Sequence, residues 1–147
     1  MSAKVTVMSP QQVVDRMTGE GDVLLHALDA HVAQQPDKLL LHYGDENLDL
    51  SYAEFAARTR RMASLLALQG VSAGDHVSVH AQNALVTALS MFAIWRLGAV
   101  FAPINYNLRG RFLTYQVNDT APKAIIADEP GVALVKGLRA DMPDFTL

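Results

Sequence analysis

Five histidines, fifteen carboxylates and twelve lysine or arginine side chains are the reactive groups of this 147-residue chain, and their spacing decides what they can do. There is no cysteine, which excludes a disulfide framework, a thiolate metal site and a cysteine nucleophile. His76 and His80 share one face of a strand-like run, and His26 and His31 fall on one helix pattern. A metal site needs at least a third ligand in reach, and the sequence places none beside either pair. Asp15, Asp22 and Asp29 are spread over an arm and a helix, without the pairing that acid–base catalysis requires. Asp128 follows four apolar strand residues, as a phosphoacceptor aspartate would. No early acidic pair or later strand-end Lys accompanies it, so it reads as the punctuation of a strand end. Arg109 and Arg111 flank a helix start, where each cation opposes the dipole by about 0.3–1 kcal/mol. An anion contact is one reading of them and solvated loop arginines the plainer one. Met91, Phe92 and Trp95 could line an acyl pocket, yet on a helix that is apolar nearly all round they read first as core. Gly19-x-Gly21 lacks both the preceding strand and the third glycine of a dinucleotide fingerprint. The sequence therefore assigns no catalytic, cofactor-binding or metal-ligating residue.

The elements that must position such groups follow from composition and period. Half of the residues are apolar and 18% are charged, which excludes a disordered chain. A net charge of −3 argues against nucleic acid as a partner, since phosphate neutralisation needs a basic surface. The longest apolar run, from Ala84 to Trp95, is too short to cross a bilayer. Lys4 is isolated and no apolar run follows it, so signal-peptide grammar is missing and a cytoplasmic location is expected.

Residues 1–21 show no clean period and read as an N-terminal arm, with a short helix over Gln11 to Met17. Residues 22–147 read as one α/β unit. Asp22 can cap a helix running to about Gln35, which Pro36 ends. Leu39 to Tyr43 and Asn47 to Leu50 read as two strands of a hairpin. Ser51-Tyr52-Ala53-Glu54 is a capping box, with Leu50 and Phe55 as its hydrophobic staple. Tyr52, Phe55, Met62 and Leu66 then form an apolar stripe, Glu54, Arg58 and Arg61 a wet face, and Gly70 a left-handed stop. Val77 to His80 is a strand, Asn83 caps a helix from Ala84 to Leu97, and Val100 to Ile104 is a second strand. A helix over Gly110 to Asn118, a strand from Ala124 to Ala127, a helix from Pro130 to Ala140 and a strand beginning at Phe145 complete the order. Alternation of this kind predicts a partly parallel sheet with helices on both faces.

Four segments in register carry a resemblance. Leu50 to Phe55, Gly74 to Val79 with Asn83, Leu97 to Asn105, and Tyr115 to Asp119 with Ala124 to Ala127 resemble successive core segments of the adenylate-forming enzymes. Asn105 after Pro103-Ile104 is most similar to the acyl-CoA synthetases. Peptide-synthetase adenylation domains more often place Asp there. Arg109 and Arg111 depart from the family, which usually has an acceptor cap and an acidic residue at that helix start.

The resemblance implies a reaction in which ATP and Mg²⁺ activate a carboxylic or fatty acid to an acyl-adenylate and CoA displaces AMP. It also implies a Ser/Thr/Gly-rich phosphate loop, a ribose-binding Asp and a mobile Lys. None of these is recognisable in the 147 residues. The expectation is the N-terminal portion of such an enzyme's large domain, ending before the phosphate loop. It would be architectural, bind none of those cofactors, and be inactive alone. The alternatives are a free-standing α/β interaction or ligand-binding module and a fragment of a carrier-protein-loading adenylation domain. Open sheet edges would invite self-association in either setting.

Overall fold

The fold was analysed on a computed structural model, which describes residue 9 and residues 24–147. The arm helix over Gln11 to Met17 and the Asp22 cap lie outside the described residues. Two small layers are built in chain order. The first combines helix α1 (Leu24–Gln34) with an antiparallel hairpin of β1 (Leu39–Tyr43) and β2 (Leu48–Ser51). The second strand starts one residue later than the pattern predicts. Asn47 adopts a left-handed φ of 47° and closes a 3-10 turn over Gly44–Glu46, donating its N–H to the Gly44 carbonyl.

Ser51 ends the hairpin and starts α2 (Tyr52–Leu68) in a single residue. Its hydroxyl accepts from the Glu54 N–H at 3.2 Å, and Glu54 accepts from the Ser51 N–H at 2.8 Å. The capping box is thus present in full. The buried stripe of α2 is Phe55, Ala56, Thr59, Ala63 and Leu66, whereas Tyr52 and Met62 sit at its margin. Small residues at the centre of that stripe let α3 (Ala84–Arg96) approach closely, with Ser90 and Ala93 fully buried opposite.

The second layer is a parallel sheet in the order β4-β3-β5, made of β3 (His76–His80), β4 (Val100–Pro103) and β5 (Ala124–Ala127). Val77 and Val79 point from the central strand into a core with Ala63, Leu66, Ala93 and Ile94. The opposite face of the sheet packs Ile125 against Leu113 and Val117 of α4 (Gly110–Thr120) and Val135 of α5 (Glu129–Gly137). Helices therefore cover both faces, as the alternation predicts. A third cluster ties the layers together through Leu28, Leu50, Phe55 and Leu85.

Boundary differences have local causes. Helix α4 runs two residues past Asn118 because Ala121, at φ 40°, provides the left-handed stop. Helix α5 ends earlier than predicted, at Gly137, and a 3-10 turn over Arg139–Asp141 follows. Thr146 makes an isolated parallel bridge to Ala124, so the predicted last strand is reduced to its first rung. Pro103 ends β4 on the outer edge, where its missing N–H costs no ladder bond.

Candidate functional site at the strand ends

Parallel sheets of this kind bind ligands beyond the carboxyl ends of their strands, where neighbouring crossovers leave for opposite faces. Here β3 feeds α3 on one face and β5 feeds α5 on the other. The crevice must therefore lie between the segments after His80 and after Ala127. Gln82, Asn83, Tyr106, Arg109, Asp128 and Gly131 meet there.

The crevice is filled by the chain itself. Asp128 caps α5, accepting from the Gly131 N–H at 3.1 Å, and reaches across to accept from the Gln82 N–H at 2.6 Å. Burial raises its proton affinity, but the Gln82, Gly131 and Asn83 amides outweigh this and hold the carboxyl below the ordinary aspartate range. A phosphate would sit on such amides; here a side-chain carboxylate already occupies them. Gly131 tightens the joint, since a Cβ built there would lie 2.5 Å from the His80 carbonyl oxygen. Asp128 is thus the strand-end fastening its position suggests, and the residues of the crevice do not fit a nucleotide's phosphates.

Arg109 does not reach out to an anion either. Its guanidinium donates to the carbonyls of Tyr106 and Leu108 and lies 5.2 Å from the Tyr106 ring centre. Arg111 lies over the Phe112 ring at 4.9 Å. Both cations are engaged locally, which offsets their opposition to the helix dipole.

The histidine pairs separate. His31 packs on Tyr52, with ring centres 5.0 Å apart, and its Nδ1 lies 3.0 Å from Gln35 Nε2. His76 is exposed and donates from Nδ1 to the Thr120 carbonyl at 2.7 Å. His80, on the same face of β3, is fully buried, and neither ring nitrogen has a hydrogen-bond partner. Among the described residues, no three His, Asp or Glu side chains cluster closely enough to hold a metal.

Asp29 has a partner that the sequence reading missed. Arg96 donates to it from both terminal nitrogens, at 2.8 and 3.3 Å, and from Nε to the buried Thr59 hydroxyl at 3.1 Å. The Arg96 bond first, and its charge, hold Asp29 below its ordinary range against a smaller opposing effect of burial. The available signal was one cation at the end of an otherwise apolar helix, which must find an anion if it is not to lie in solvent. Phe92 and Trp95 behave as packing residues, since Phe92 meets Phe55 edge-on at 5.2 Å and Trp95 at 5.6 Å, whereas Met91 is half-buried and belongs to none of the core clusters. The glycine pair at 19 and 21 lies outside the described residues, as does Asp15.

Comparison with known proteins agrees with this architecture. Residues 28–145 match the family model described as AMP-binding enzyme. The indoleacetate–CoA ligase of Aromatoleum aromaticum is 31% identical over 120 residues, which is 82% of this chain and 23% of that protein. The medium/long-chain-fatty-acid–CoA ligase FadD6 of Mycobacterium tuberculosis is 33% identical over 103 residues, 70% of this chain and 17% of that one. A solved Mycobacterium tuberculosis fatty acyl CoA synthetase superposes with a TM-score of 0.75 over 81% of this chain and 24% of its own, at 24% identity. The chain spans about a fifth of the length of the curated relatives it matches.

Proposed function

Since this chain belongs to the AMP-binding enzyme family and corresponds to the N-terminal portion of its acyl-CoA ligases, we propose that it serves as scaffolding for an ATP-dependent, AMP-forming carboxylate–CoA ligase. The carrying observation is the crevice at the strand ends, where Asp128 occupies the amides that a ligand's phosphate would use. Residues 22–147 form the structural unit in this reading, and residues 1–21 are an arm. The residues that hold ATP, Mg²⁺ and CoA, and those that choose a carboxylic or fatty acid, belong to the other four-fifths of such an enzyme. A cytoplasmic setting, which supplies ATP and CoA, is part of this reading.

A chimera tests the scaffolding role. Residues 28–145 replace the matching segment of the Aromatoleum ligase, and indoleacetyl-CoA formation is measured. Retained activity supports the reading; a folded, monodisperse but inactive chimera refutes it.

We also infer that the isolated chain self-associates. Leu65 and Leu68 are 63% and 80% exposed on α2, and β4 leaves an open sheet edge whose Val100 is 44% exposed. Apolar surface beside an unpaired edge invites strand pairing. Light scattering across a dilution series should show mass rising with concentration, and a monomer throughout would overturn the inference.

A further inference from the structure

The His80 imidazole has no place in the scaffolding account, yet its surroundings are unusual. It is fully buried at the carboxyl end of the central strand, with both ring nitrogens lacking a partner. Buried polar atoms are nearly always paired, so an orphaned ring calls for a physical reason. Its ring stacks on Tyr106, with centres 6.0 Å apart. The charged groups facing it are Arg109, from the β4–α4 segment, and Asp128, from the start of α5; Gly131 on α5 contributes only backbone.

The acceptors that face that ring, the Tyr106 and Leu108 carbonyls and the Asp128 carboxylate, each serve another donor as well. The carbonyls of Tyr106 and Leu108 take the Arg109 guanidinium. The two Asp128 oxygens take the N–H groups of Gly131 and Gln82. A neutral imidazole tolerates this arrangement at a cost. An imidazolium competes with those donors, because it brings a second N–H, and its charge is repelled by the nearby Arg109.

We propose that His80, Arg109 and Asp128 form an acid-sensitive latch that holds the three strand-end segments of the parallel sheet together. Uptake of a proton on His80 either draws Asp128 away from Gln82 and Gly131 or drives Arg109 off its carbonyls. Residues 105–109 open in either case while the core, Ile104 included, stays folded. Burial first, and Arg109 second, lower the proton affinity of His80 against smaller opposing pulls from Asp128 and the Tyr106 and Leu108 carbonyls. The closed state therefore binds fewer protons than the open one, and acid favours opening. The latch is independent of the ligase assignment, because it requires only the fold.

Amide hydrogen exchange on the 147-residue chain tests it, from about pH 7.5 to about pH 4.5, the range over which histidine changes charge. The expected result is that opening of residues 105–109, corrected for the intrinsic pH dependence of exchange, rises by up to about tenfold per pH unit, as one proton requires. Ile94 and Val117 should stay protected. H80L should flatten the profile. R109Q, which removes an exposed cation and leaves the core intact, should move the transition to higher pH. Opening that is independent of pH, an unchanged R109Q profile, or core amides exchanging in step with residues 105–109 would each overturn the latch.

Discussion

At the scale of single residues, the fold depends on a few side chains with two jobs each. Ser51 ends a strand and caps a helix through bonds of 3.2 and 2.8 Å to and from Glu54. S51A should cost about 1 kcal/mol of stability, read as a lower urea midpoint with an unchanged slope. Gly131 admits no side chain, because a Cβ would press on the His80 carbonyl at 2.5 Å. G131A should therefore cost about 1–3 kcal/mol, in the range of an overpacked core, measured by the same unfolding curve. Asp128 sets an acid limit. Its folded-state proton affinity lies below the ordinary aspartate value of 3.8, so its contribution is present above that value and is lost as pH falls through the lowered one. The loss in wild type should exceed that in D128N below about pH 4, the ordinary aspartate range, when thermal midpoints are compared at each pH.

At the scale of elements, the central helix α3 is the keystone. Ile94 is fully buried between α2 and the sheet, where I94A should cost about 2–5 kcal/mol. Leu68, 80% exposed on α2, should tolerate Ala within about 0.5 kcal/mol. Denaturation of the two variants side by side checks both. The contrast also shows what could be read from sequence. The capping box, the Asn83 cap, Gly70 as a left-handed stop, and the strand Ala124–Ala127 were legible because each depends on neighbours in the chain. The Arg96–Asp29 pair, 67 residues apart, was not, since no local period encodes it. The closeness of Gly131 to β3 and the orphaned His80 were hidden for the same reason. The candidate site was legible only as a strand end with an aspartate; that its amides are self-occupied is a property of two crossovers leaving for opposite faces.

At the scale of the whole molecule, two sheets and five helices enclose the cores of the described residues, among which no three His, Asp or Glu side chains cluster to hold a metal. The chain belongs to the AMP-binding enzyme family, and the curated CoA ligases that match it are about four times as long. In the proposed function the chain supplies framework and not chemistry. The most direct measurement is pyrophosphate release by the purified 147-residue protein with ATP, Mg²⁺, CoA and a panel of carboxylic and fatty acids. The predicted result is no carboxylate-dependent release above a protein-free control; release that saturates with a carboxylate and scales with protein concentration would contradict it.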